Sequence, residues 1–294
     1  MLLLLTGSDN RTSDRIVNHF GLDVFRLNFD LWSDYSITFS PNSWEIKNPA
    51  GHSISSKTVS RVFYWKAFSY PINEDKLVAA EINYIFREIY SWCVSRGMQR
   101  GNPFYFHQVC GKINILSKAK SHFQTPNTIV TSGTSMDERI GDLVVAKSLS
   151  SEVTEDYKAM MTTLVDPECL DPGYPWFLQE KVESNWDVTV FICGEKLFAF
   201  QRDRSSLKGI DWRAEQQCGR DGKEWIFFEL DELNTEKVFN LSEELDVDWG
   251  RYDFMLSLDE RELVFLEFNA NGQWGFLDPL DEYGVFDQAV KYLS

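Results

Sequence analysis

The 294-residue sequence predicts a mixed α/β (α+β) fold built from three units, 1–110, 111–176 and 177–294. Three observations carry that expectation. The N-terminus runs strand, helix, strand, which is the order of a small α/β unit with a partly parallel sheet. A single long stretch from Asn73 to Arg96 carries an unbroken helical period of apolar residues. The last third holds two pairs of alternating runs, each folded about a short turn, as antiparallel hairpins require. Hydrophobic residues make up 43% and aromatics 15% of the chain, enough for globular cores.

In chain order, residues 1–6 (MLLLLT) predict a buried first strand. Four leucines with no basic residue before them and no small-residue cleavage site do not make a secretory signal. A polar GSDNRTSD loop leads to a helix over 13–20 ended by Gly21, and strands follow at 23–30 (DVFRLNFD) and 61–66 (RVFYWK). Val78, Ile82, Ile85, Ile89 and Trp92, spaced by four and three, place an apolar stripe on a helix. A further helix over 112–122 must stop before Pro126, because the residue preceding proline avoids helical angles. Strands are expected at 128–131, 142–149 and 176–182, separated by a polar, proline-bearing segment at 151–175. The run 186–202 turns at Gly194-Glu195 and sets Asp187 opposite Arg202 and Phe191 opposite Phe198.

Charge narrows the function. With 45 acidic against 29 basic side chains the net charge is −16, which argues against a nucleic-acid partner. No apolar run approaches the roughly 20 residues of a membrane helix, so no membrane partner and a cytoplasmic location are expected. The five cysteines form no CxxC pair, and the four histidines each stand alone in sequence, leaving no zinc-ligand spacing and no Ser-His-Asp or Cys-His constellation.

The chemistry concentrates at 251–269 (RYDFMLSLDERELVFLEFN), a hairpin turning near Glu260. That register sets Asp253 opposite Glu267 and Arg251 opposite Asn269. Residues 267 and 269 share a face, and Asp253 joins them across the hairpin. Two carboxylates directly opposite each other destabilise a sheet. A hard divalent cation with oxygen ligands resolves the conflict; otherwise a one-residue slip turns the acids to water.

This pattern resembles the ATP-grasp superfamily, in which an Asp on one strand and Glu-x-Asn on the next hold Mg²⁺ beneath ATP phosphates. The resemblance implies an ATP-grasp fold: a small N-terminal α/β domain at 1–110, then central and C-terminal domains with the nucleotide between them. It further implies that Asp253, Glu267 and Asn269 are metal ligands and that Lys112 and Lys147 reach the phosphates. Gln179, Glu180 and Val182 would form the adenine-binding hinge, and Asp187 would lie near the ribose. Within the superfamily the chain is similar to the microviridin or graspetide maturases. NANGQW (269–274) resembles their Asn-Pro-Asn-Gly-Gln-Trp segment, KGIDWR (208–213) their Lys-x-Ile-Asp-Trp-Arg element, and the first two N-terminal strands their first domain. Two departures stand out. Thr189 occupies the place of an arginine, and the stretch after Lys147 (SLSSEVTEDYKAM) lacks the glycines of a phosphate loop.

The function so implied is an ATP-dependent ligase that activates side-chain carboxylates of a ribosomal precursor peptide, leader plus core, and joins them to Ser/Thr hydroxyls or Lys amines. Arg213, then Arg251, would grip the acceptor carboxylate through a bidentate guanidinium. Arg202 would pair with Asp187, and Asn271 would serve the metal or cap a turn. Trp186, Phe198 and Phe200 are candidates for leader docking, with burial in the core as the competing reading. Two alternatives remain open: an amino-acid ligase that extends a protein or small molecule, and a nucleotide-binding module without turnover. Oligomeric state is left open between a monomer and a homodimer.

Overall fold

The computed structural model describes residues 1–66, 75–132, 140, 143–150, 162–207, 209–211, 224–259 and 262–294. Arg213, the turn at Glu260 and most of the stretch after Lys147 lie outside the described residues.

Leu2–Thr6 (β1) is an inner strand of a four-stranded sheet, where it pairs in parallel with Val24–Asn28 (β2) on one side. Ser36–Ser40 (β3), Ser43–Lys47 (β4) and Ser53–Ser55 (β5) make a separate antiparallel sheet. Arg61–Tyr64 (β6) flanks β1 on its other side, and Gln99–Arg100 (β7) completes the first sheet. The leucine run is buried on both faces, Leu2 to Leu5 being at most 1% exposed, as a central parallel strand demands. Asn10 starts the helix Arg11–Phe20, its side chain accepting the Ser13 N–H at 3.1 Å. Asp75 caps the helix Lys76–Val94, in which Ile82 and Ile89 are buried while Val78, in the first turn, is 37% exposed.

The second layer is an antiparallel sheet of Thr128–Thr131 (β8), Val144–Lys147 (β9), Thr163–Val165 (β10) and Trp176–Glu180 (β11), ordered β10-β9-β11-β8. β11 therefore pairs with the central strands, although a division at 176/177 assigns nearly all of it to the C-terminal unit. Conversely, helix Lys112–Ala119 packs Ile115, Leu116 and Ala119 into the core beneath the C-terminal sheet.

The third layer is a five-stranded sheet, ordered β14-β13-β12-β15-β16, of Trp186–Cys193 (β12), Lys196–Asp203 (β13), Ile226–Phe227 (β14), Trp249–Leu256 (β15) and Leu263–Asn269 (β16). The expected pairs Asp187/Arg202 and Phe191/Phe198 are both present, with Gly194 at φ 62° in the first central turn position. Helix Glu232–Leu245 and helix Lys112–Ala119 cover one face of this sheet. On the other face Phe191, Trp249 and Trp274 meet Leu2, Leu4 and Trp65, joining the C-terminal and N-terminal layers in one aromatic core. Phe198 is 7% and Phe200 0% exposed in that core, so neither forms a leader-docking surface. Trp186 is partly buried against the other core. Among the described residues no helix is long and apolar enough to cross a membrane.

Candidate active site

Sheet β10-β9-β11-β8 and sheet β14-β13-β12-β15-β16 both contribute to one open cleft. Val145 and Lys147 (β9) and the segment Gln179–Val182 enter from the first sheet; Asp187 (β12), Arg251 and Asp253 (β15), and Glu267 (β16) enter from the second. A recess of about 280 Å³ holds Lys112, Lys147, Phe177 and Glu267. The two lysines and the C-terminal acids, far apart in sequence, thus meet.

At the acidic end the hairpin register holds where it matters. Asp253 faces Glu267 and Arg251 faces Asn269. Toward the turn the register shifts by one, so Phe254 pairs with Phe265 and Leu266 is the extra residue of a bulge. The slip that would have turned both acids to water occurs on the other side of Asp253, so their alignment survives. The bulge also lets Leu266 and Glu267, neighbours in sequence, line the same cleft, which a regular strand forbids.

Asp253 is surrounded by donors. Arg251 grips it side-on, Nε to Oδ1 and Nη2 to Oδ2, both at 3.0 Å. Thr189 Oγ1 donates to Oδ1 at 2.9 Å, and Asn269 Nδ2 donates to Oδ2 at 2.8 Å. The same Asn269 nitrogen donates to Glu267 Oε1 at 3.1 Å. A single amide therefore sits between two carboxylates, in the place where positive charge is most favoured. Exchanging the ends of that amide would offer Oδ1 instead, giving a three-oxygen set suited to Mg²⁺. Among the described residues no group of three or more His, Cys, Asp or Glu could hold a metal ion, so a cation held between these two acids would need the amide as its third protein ligand.

Arg251 is committed to Asp253 and, through Nη1, to the Gln273 carbonyl at 2.9 Å, so reaching an acceptor carboxylate requires that a cation take over Asp253. Lys112 Nζ donates to the Ser148 carbonyl at 2.6 Å, tying it to the end of β9. In the hinge, Gln179 is 1% exposed and its Nε2 donates to Thr128 Oγ1 at 3.0 Å. The Glu180 and Lys181 N–H groups are held by Asn127 O and Leu143 O at 2.8 and 2.9 Å. Among the described residues nothing accepts the Val182 N–H, and Val182 lines the cleft.

Asp187 is only 7% exposed. Its ion-pair partner is Arg204, whose Nη1 lies 2.6 Å from Oδ1; the expected Arg202 stands directly opposite on β13 without being the residue that grips it. Burial pushes the Asp187 carboxyl above its ordinary value, against the pull of Arg204. Asn271 Oδ1 is buried without a hydrogen-bond partner, and the turn beside it is closed by Gly272 N–H on the Asn269 carbonyl at 3.0 Å.

His107 joins this group unannounced by any local motif. The Ala270 N–H, one residue past Asn269, donates to its Nε2 at 3.4 Å. Burial, then Lys112, hold its pKa below the ordinary 6.5, with Glu267 opposing. Because the unfolded chain takes up this proton first, the His107 contribution to stability is lost as pH falls below about 6.5. The expected result is that wild type loses more unfolding free energy than His107→Gln between about pH 7.5 and pH 5.5, read from urea midpoints. Equal losses would remove His107 from the account.

No family model and no curated protein matches the sequence. Solved structures do. A Chryseobacterium gregarium RiPP-associated ATP-grasp ligase, solved with ADP and a leader and core peptide, superposes with TM-score 0.79 at 22% identity, over 99% of this chain and 96% of that one. The chain has the ATP-grasp fold. The Microcystis aeruginosa macrocyclase MdnC, bound to precursor peptide MdnA, gives TM-score 0.75 at 18% identity over 99% and 98% of the two chains. The ATP-grasp ligase PsnB, complexed with a precursor variant, Mg and ADP, gives 0.73 at 10% identity over 99% and 97%. Within this ATP-grasp fold three cleft features escaped the sequence. Thr189 becomes a donor to Asp253 because β12 pairs with β15, sixty-four residues away in sequence. Arg204 follows β13 and folds back, and Asp211, 8% exposed, lines the cleft beside it.

Proposed function

We propose that the protein is an ATP- and Mg²⁺-dependent carboxylate ligase acting on a ribosomal precursor peptide, its leader and core together forming the substrate. Side-chain carboxylates of the core are activated as acyl phosphates with release of ADP and captured by Ser/Thr hydroxyls or Lys amines, which displace inorganic phosphate and close ester or amide rings. The observation that carries this reading is that Asp253, Glu267 and Lys147 line one cleft, with Lys112 in the recess that shares Lys147 and Glu267, and with Asn269 hydrogen-bonded to both acids. The structures of similar shape that hold ADP with leader and core peptides support the choice of substrate.

Mg²⁺ bound with ATP would neutralise phosphate charge and align the terminal phosphoryl group for transfer. Asp253, Glu267 and Asn269 would hold the ion. Lys112 and Lys147 orient phosphate oxygens from the opposite wall. The hinge receives the adenine on backbone groups, with the Val182 N–H as donor and apolar Val145 and Leu266 lining the same cleft. Arg251 would offer the Nε–Nη2 edge that now holds Asp253 to the acceptor carboxylate and to the charge that develops on it. Arg213, the residue the sequence puts first for that grip, lies outside the described residues and stands beside Arg251 as a candidate. No nucleophilic side chain is needed, because phosphoryl transfer depends on position and charge.

Incubation with ATP, Mg²⁺ and a Thr- and Glu-rich precursor peptide carrying its leader should give ADP and a mass loss of about one water per linkage. With free amino acids added to the mixture, a mass gain of one amino-acid residue per event would convert the reading to an amino-acid ligase. ATP binding with neither change in mass would leave a module without turnover.

A further inference from the structure

Arg204 belongs to no strand, yet its side chain is held at two points beside Asp187. Its backbone N–H donates to the Asn185 carbonyl at 2.8 Å, pinning it where the β12-β13 hairpin opens. From there the guanidinium turns inward and divides. Nη1 takes Asp187 Oδ1 at 2.6 Å, while Nη2 takes the Ile210 carbonyl at 3.0 Å. Its side chain is 11% exposed and that of Asp187 10%, so the pair works at low dielectric, where geometry and charge count most. Ile210 and Asp211 line the cleft along with both partners. One rigid fork thus joins the acid at the ribose end to the segment that leads, in sequence, to Arg213.

The fork has an unfinished partner. Asp187 Oδ2 is buried and has no hydrogen bond, a costly state for a carboxylate oxygen. A ligand hydroxyl donating to that oxygen would favour the ionised carboxylate, and an ionised carboxylate strengthens the Nη1 arm. The arm that holds Ile210 is part of the same planar group and gains the same fixity.

We propose that Arg204 is a positioning residue that couples occupancy of the Asp187 end of the cleft to the placement of segment 209–211. The proposal rests on the nucleotide reading above and goes beyond it, by giving segment 209–211 a reason to be held more firmly once the nucleotide has bound.

Hydrogen exchange on the full-length protein, with Mg²⁺ and saturating ADP as the probe, tests it. In wild type, ADP should slow exchange in peptides covering 205–211 at least about threefold. Arg204→Lys keeps a charge for Asp187 but has no second arm for Ile210; it should bind ADP within about threefold of wild type yet show no added protection there. Wild type with 2′,3′-dideoxy-ADP, which lacks both ribose hydroxyls, should bind and likewise leave 205–211 unprotected. ADP binding to wild type without a change at 205–211, or equal protection in Arg204→Lys or with the dideoxy nucleotide, would overturn the coupling. Failure of wild type to bind Mg·ADP at all is a separate result that strikes the nucleotide reading itself.

Discussion

Glu267→Gln should lower Mg²⁺-dependent ADP formation by a factor on the order of 10³, the scale at which loss of a charge-stabilising group is felt in transfer chemistry, while the protein stays folded. The reason lies in the pairing of Glu267 with Asp253 across the hairpin. Without a cation the two charges oppose each other and are moderated by Arg251 and by the shared Asn269 amide. A neutral glutamine removes that opposition, so the apo protein should melt at the same temperature or slightly higher. The Mg²⁺ concentration giving half the maximal rate should rise by about tenfold or more, since one of two anionic ligands is gone. Asp253→Asn should be as inactive and, unlike Glu267→Gln, less stable, because the carboxamide keeps one oxygen for Thr189 and Arg251 Nε but sets an NH2 against Arg251 Nη2 and Asn269 Nδ2, and leaves the buried Arg251 without its counter-charge. An active Glu267→Gln enzyme with an unchanged Mg²⁺ requirement would refute the metal assignment.

Gly250→Ala should cost about 3 kcal/mol of stability, roughly 5 °C in melting temperature for a chain of this size. Gly250 directly precedes Arg251 on β15 and adopts φ 135°, a region that side chains avoid. An added Cβ would lie 2.5 Å from Phe268 Cζ and 3.1 Å from the Asn269 carbonyl. Relief must come either from the buried Phe268 ring or from the strand that carries Asn269, so activity should fall with stability. Gly97→Ala is the control. At φ 70° with nothing within 4 Å, it should cost only the backbone strain, about 1 kcal/mol. Differential scanning calorimetry of the two variants separates the effects; equal shifts would mean that the close approach at Gly250 is relieved without cost.

The features legible in the order of amino acids are those that depend on near neighbours in the chain. The β12-β13 pairing is a hairpin about a two-residue turn, so counting outward gives its register; in the β15-β16 hairpin the pairs beside the turn stand one position off, and the bulge at Leu266 brings Asp253 opposite Glu267. The leucine strand, the long helix and the hinge strand declare themselves through period and composition. Recognition of the lysines and the hinge rests on resemblance, because no local rule brings residues 112, 147, 179 and 267 to one cleft. Other features are set by contacts between distant segments. The bulge at Leu266 arises where β16 must satisfy β15 on one edge and Gln124 on the other. Thr189 finds Asp253 only through the β12-β15 pairing. Asp187 takes Arg204 instead of the residue directly across from it, because a side chain leaving the sheet can fold back over the cleft where one held in the strand is directed by the pleat. Pairing energies within a hairpin are local and leave their mark on sequence; the packing of one sheet against another is a sum over the whole chain and leaves none at any single position.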